Sequence, residues 1–303
     1  MTTGSGGAAD VVDAADVVDA ADRWNAADRW NVADGLGDAD GWMPPMDEAP
    51  PMWWMPPMDE APPEISKINM LHIKNFSFNP FREHTLLLWD DTHEGVLVDP
   101  SYYDAEERES LLSAVESEGV VLKAIWLTHG HFDHVYGVRE LSERFGLKVL
   151  MHPADREVLG YNPLLAKNFG MRVPEQDFLT ADLADGQVLG FGETTFEVIA
   201  TPGHTPGGVC FYDRADKVLV CGDTLFAGSI GRTDQPGGDY DRLIVSVMDK
   251  LMGLDGDVDI IPGHGPVSNI GHERTHNPFL QPFNEPEEDM PDEPLALSGD
   301  CGE

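Results

Sequence analysis

The chain is short of thiols, of cations and of long apolar runs. Its 303 residues hold three cysteines, Cys210, Cys221 and Cys301, too few for a disulfide framework and suited to a reducing compartment. No N-terminal apolar stretch resembles a secretory leader, and no apolar run approaches the ~20 residues of a membrane-spanning helix. The protein is therefore expected to be cytoplasmic, with no membrane partner. Lys and Arg number 19 against 55 Asp and Glu, for a formal net charge of −36. No basic stripe is left to neutralise phosphates, which argues against nucleic acid as a partner.

The acidity runs the length of the chain. Residues 1–69 carry 3 basic against 14 acidic side chains, residues 70–280 carry 16 against 33, and residues 281–303 carry none against 8. A surface of one sign repels itself at low salt and stays soluble and monodisperse once salt screens it. This balance reads as a halophilic source; the alternative is an ordinary acidic protein with acidic tails. In a thermal melt, Tm is expected to climb from dilute buffer to molar salt, and a flat or falling Tm would decide for the alternative.

Low complexity fills the first 64 residues. From Ser5 to Asp40 a six-residue period places Asp at 10, 16, 22, 28, 34 and 40, and the nine residues from Met43 to Pro51 recur from Met55 to Pro63. Six is out of phase with ~3.6 residues per helical turn, so the Trp and Val positions would spiral instead of forming a stripe. The Pro-rich half fits neither helix nor central strand. Residues 1–69 are thus read as a flexible acidic arm, and 281–303, Pro-rich and acidic, as a disordered tail. The arm is either a partner-binding segment using Trp24, Trp30, Trp42, Trp53 and Trp54 or a passive expansion, conceivably upstream of a natural start at Met70. The passive reading is favoured, and deleting residues 1–69 is expected to leave turnover unchanged. Collapse of activity on deletion would give the arm a working role.

What is present is concentrated at residues 128–134, Thr-His-Gly-His-Phe-Asp-His. The run follows Ala124–Leu127, an apolar segment that reads as a buried strand ending in a loop. His129 and His131, at i and i+2, share a face in extended backbone. Asp133 and His134 precede an expected helix and should aim elsewhere, towards a second centre. Imidazoles and carboxylates this tightly clustered are metal-ligand types. Three further Gly-flanked ligand types close apolar runs: His204 after Phe196–Ala200, Asp223 after Val218–Val220, and His264 after Val258–Ile261. Singly each is an ordinary turn; their repetition in one position carries the weight.

Taken together, these residues resemble the metallo-β-lactamase superfamily, and within it the glyoxalase II-like hydrolases. Gly222–Phe226, Gly228–Asp234, Pro262–Pro266 and Glu273–Leu280 strengthen the likeness, which runs from about Met70 to Leu280. It implies an αββα four-layer sandwich of two mixed sheets with outer helices and a dinuclear centre at one edge. It also implies His129, His131 and His204 on one metal, Asp133, His134 and His264 on the other, and Asp223 bridging. Asp133 and Asp223 are the catalytic candidates, Asp133 as a ligand able to handle a proton.

Such a donor set, without thiolate, suits two divalent ions, zinc first, with iron or manganese as alternatives. Ions so held acidify water and stabilise a developing oxyanion, so no side-chain nucleophile is required. Cys210 and Cys221 are expected to pack as small hydrophobes. Asp99, before Pro100, is either a partner of a ligand imidazole or a turn cap. Arg232 is either a substrate contact through a bidentate pair or an internal salt bridge to Asp234 or Asp239.

The implied activity is hydrolysis of a small-molecule thioester of the hydroxyacyl-glutathione type, such as S-lactoylglutathione. Full-length glyoxalase II enzymes carry a basic C-terminal helical domain that has no counterpart after Leu280, which leaves glutathione the less secure part of the reading. The rival is a mononuclear-iron persulfide dioxygenase with most of the same ligands; a lactonase-type hydrolase or a non-catalytic binding module stands lower. The sequence does not specify an oligomeric state. Strands are expected at 70–78, 85–90, 95–99, 147–151, 194–200, 209–212, 217–221 and 258–261. Helices are expected at 104–118, 135–145 and 240–254, and residues 171–184 as a mobile pocket wall.

Overall fold

The computed structural model describes residues 71–174 and 176–281. The arm expected over 1–69 and the tail beyond Gln281 lie outside the described residues. Strands β1 (Leu71–Phe78), β2 (Glu83–Asp90) and β3 (Glu94–Val98) form an antiparallel meander. Parallel strands β4 (Val121–Trp126), β5 (Lys148–Met151) and β6 (Thr180–Asp182) extend it, giving the order β1-β2-β3-β4-β5-β6. Helices α1 (Ala105–Ser117), α2 (Val138–Phe145) and α3 (Arg156–Asn168) occur along this half.

A second mixed sheet is built from β7 (Val188–Phe191), β8 (Thr194–Ala200), β9 (Val209–Asp213), β10 (Val218–Gly222), β13 (Asp259–Pro262) and β14 (Ser268–Asn269). Its order is β14-β13-β10-β9-β8-β7, with β10 and β13 parallel. A short hairpin, β11 (Leu225–Phe226) and β12 (Ser229–Ile230), leaves this sheet after β10. Helices α4 (Tyr240–Ser246) and α5 (Ile270–His276) follow.

Alternation along the strands produces the layers. In β4, Ala124 and Trp126 join the core between the sheets. Ile125 and the following Leu127 turn the other way, onto Leu111 and Val115 of α1 and Val138 and Leu141 of α2. In β9, Val209 and Phe211 face the first sheet, whereas Cys210 and Tyr212 meet Leu243 and Ile244 of α4. Helix, sheet, sheet, helix is the αββα sandwich, and β2, covered on both faces, is buried at every residue. Trp126 sits at its centre, with ring centroids 5.9, 5.5 and 5.2 Å from Phe191, Phe196 and Phe211. Helix starts follow their caps: Asp104 accepts the amides of Glu106 and Glu107, and Asp239 that of Arg242.

Several elements differ from expectation. The helix expected from 135 begins at Val138, because Phe132–His134 form a 3-10 turn. The helix expected over 240–254 is α4 continued by a π-helical turn, Val247–Leu251. Helix α3 was not expected, since Gly160 and Pro163 oppose helix by propensity. Burial of Val158, Asn162, Leu165 and Ala166 outweighs that preference. The expected pocket wall at 171–184 is tied down in part, with Thr180–Asp182 pairing to β5 and Phe178 packing under the first sheet. No helix among the described residues is long and apolar enough to cross a membrane.

Candidate metal centre

All seven expected ligand residues converge at one edge of the sandwich. His129, His131, Asp133 and His134 lie on the loop and 3-10 turn that leave β4. His204 follows β8, Asp223 follows β10 and His264 follows β13, so the second sheet supplies the other three. The strands place these side chains because each apolar run ends where its chain must turn. Ligand atoms of His129, His131 and His204 lie within 4.8 Å of one another, as do those of Asp133, His134 and His264. These are the two groups implied by the family resemblance.

Hydrogen bonds behind the rings fix how four imidazoles face. His134 Nδ1–H donates to Asp99 Oδ2 at 3.0 Å, His204 Nδ1–H to the Arg232 carbonyl at 2.8 Å, and His264 Nδ1–H to the Phe81 carbonyl at 3.0 Å. The Thr128 hydroxyl donates to Asp99 Oδ2 and accepts from His129 Nδ1 at 3.1 Å. For His129 and His134 this leaves Nε2, the atom a ligand histidine offers, without a hydrogen-bond partner among the described residues. His131 Nδ1 faces His204 Nε2 at 2.9 Å. Asp99 takes the partner position open to it in the sequence, and its Oδ1 also accepts the Thr128 amide at 2.8 Å.

Asp223 occupies the middle. Its Oδ2 is 3.4 Å from His204 Nε2, while Oδ1 is 3.5 Å from His134 Nε2 and 3.6 Å from His264 Nε2. Asp133 Oδ2 stands 3.4 Å from His264 Nε2. Burial alone would raise the Asp223 carboxyl, but His264, His134 and His204 hold it well below the usual carboxylate range. Burial, reinforced by neighbouring imidazoles, pushes His131 down to about 3 and His129 well below its ordinary value. His129 Nε2, His134 Nε2 and Asp223 Oδ1 are buried without a hydrogen-bond partner among the described residues. Buried polar atoms are normally satisfied, and divalent cations held in the two groups would satisfy all three. The residues fit such ions.

Supporting groups extend beyond the motifs. The Asn79 amide donates to the Asp133 carbonyl at 2.9 Å, and the Ser101 hydroxyl donates to the same oxygen. His84 Nδ1–H reaches the Pro262 carbonyl at 2.9 Å, and burial lowers its pKa to about 4. Glu83, fully buried, lies 3.8 Å from His134 Nδ1, and burial pushes its carboxyl well up. Asp155 accepts from Gly130, Thr205 and Gly207. Of these, only Asp155 carried a legible signal, as a ligand-type residue just past an apolar strand.

Arg232 places its guanidinium on Asp234 through two bonds of 2.6 Å, the internal pair that competed with a substrate contact. Cys210 and Cys221 are buried, and burial pushes the Cys210 thiol up to about 11 and Cys221 well above its ordinary value. Neither is an activated nucleophile.

Known proteins share this fold. The Metallo-beta-lactamase superfamily matches residues 79–264. Hydroxyacylglutathione hydrolase GloC of Haemophilus influenzae is 37% identical over 214 residues, 69% of this chain and 98% of that protein. Among crystal structures, TTHA1623 in a di-iron-bound form is similar with a TM-score of 0.61 at 36% identity, over 68% of this chain and 100% of that one. BLEG-1 B3 metallo-beta-lactamase gives 0.62 at 34% identity, over 69% and 99%. With four αββα layers and His/Asp clusters able to bind metal at one edge, the chain belongs to the metallo-β-lactamase superfamily of metallo-hydrolases.

Proposed function

We propose that the chain hydrolyses a thioester of the hydroxyacyl-glutathione type, S-lactoylglutathione-like, with two divalent cations held by the seven residues and zinc as the resident metal. The observation that carries this is Asp223, whose two oxygens face different histidine groups. One carboxylate so placed suits a pair of ions better than a single one. Two such ions, when bound, lower the pKa of water and polarise an acyl carbonyl.

The chain's own residues prepare that chemistry. Asp99, Thr128, Phe81 and Arg232 hold the imidazole rings from behind. Asp133, bonded through its carbonyl to Asn79 and Ser101, keeps its carboxylate beside His264. Water adds to the acyl carbon, the carbon–sulfur bond breaks, and the products are a carboxylate and a thiol. The name of GloC, a hydroxyacylglutathione hydrolase matched over 98% of its length, supports the thioester.

Full-length protein purified without chelators tests the reading. Two zinc ions per chain and cleavage of S-lactoylglutathione without oxygen uptake are expected. One iron per chain with persulfide-dependent oxygen consumption would overturn the proposal in favour of a dioxygenase.

A further inference from the structure

We propose that Asp155 is a positioning residue that locks together the two loops carrying His129, His131 and His204, and so sets the affinity of the first cation. The inference rests on reading the cluster as a cation centre. Asp155 belongs to neither loop; it closes a 3-10 turn, Pro153–Asp155, directly after β5. It is fully buried. Its Oδ2 accepts the Gly130 amide and the Thr205 hydroxyl, each at 2.8 Å, and its Oδ1 accepts the Gly207 amide at 2.5 Å. Gly130 separates His129 from His131, and Thr205 follows His204. A single carboxylate therefore joins the ligand loop of one sheet to the ligand loop of the other.

The ordinary explanation for an Asp at this place fails. Asp155 is the residue preceding α3, where an Asp side chain would normally accept the amide of the second or third helical residue. It makes no such bond; the carboxylate is turned away from its own helix towards the ligand loops. The chain also departs from side-chain bulk to let it in. A Cβ on Gly207 would fall 2.8 Å from both the amide nitrogen and Oδ1 of Asp155, and one on Gly130 would fall 3.0 Å from its carbonyl oxygen.

The same segment grips Gly130 from the other side. Asn162 of α3 donates its amide to the Gly130 carbonyl at 2.9 Å, so both polar groups of that residue are held. On the far loop, Thr201 N–H bonds Gly208 C=O at 2.7 Å and Gly203 N–H bonds Thr205 C=O at 2.9 Å, making the His204 turn a rigid unit that Asp155 can move only as a whole. A buried carboxylate carries a desolvation cost that an apolar side chain would avoid. Three donors from two ligand loops give it a reason to be there.

Zinc affinity, measured against a chromophoric competitor on chelator-stripped full-length chain, tests the proposal in two backgrounds. His264→Ala leaves the His129–His131–His204 group intact, and His131→Ala leaves Asp133–His134–His264. Adding Asp155→Asn is expected to weaken zinc by about 10–100-fold in the first background, the scale for groups that orient metal ligands, with little change in the second. Equal losses in both backgrounds, or none in the first, would overturn it. Thr205→Val, which keeps the carboxylate and both amide bonds, gives a second reading should Asp155→Asn fail to fold. A smaller loss confined to the first background supports the proposal, and an unchanged affinity there defeats it. Zinc bound by neither parent background would instead defeat the cation centre itself.

Discussion

Asp223→Ala is expected to deplete both ions and to lower kcat/KM by at least about 10³-fold, the upper range for losing one group that stabilises developing charge. The size of the effect follows from position. Asp223 Oδ2 is 3.4 Å from His204 and Oδ1 is 3.5 Å from His134, so one carboxylate meets both groups. His264→Ala should act more narrowly, emptying mainly the group that also holds Asp133 and His134. Metal content per chain, measured beside turnover for both variants, separates the cases. An Asp223→Ala protein that kept the metal content of the parent chain would remove the bridging assignment.

Trp126→Ala is expected to cost about 3–5 kcal/mol, the usual range for truncating a fully buried aromatic. The indole touches Phe191, Phe196 and Phe211 of the second sheet, so its loss opens a void where no single neighbour can close it. Denaturant unfolding measures the cost, and a change under ~1 kcal/mol would show that the sheets collapse onto the vacancy. Trp126→Phe should be milder, since the indole N–H has no partner among the described residues to lose.

The candidate ligands were legible in the sequence for a local reason. Each is a histidine or aspartate at the point where a β-branched or aliphatic run stops, and β4, β8, β10 and β13 are such runs. Most of what positions them was not legible, because it depends on pairs far apart in the chain. Asn79 meets Asp133, and Asp155 meets Gly207, only after the sheets have stacked. Asp99 and Arg232 each had two local readings of similar standing. In the fold the Asp99 carboxylate lies against His134 Nδ1, and the Arg232 guanidinium lies on Asp234. Helix α3 was missed because propensity at Gly160 and Pro163 outweighs pattern until the buried face is known.

The division of the ligand set between the two sheets has a thermodynamic consequence. An ion at this edge binds only while the sheets are in register, so its binding free energy is added to that of folding. At a free concentration about a thousandfold above Kd, that addition is about 4 kcal/mol, comparable to the whole effect of the largest core truncation. Loaded and stripped chains are then materials of different heat tolerance. The residues that govern reactivity also govern how long the folded chain lasts.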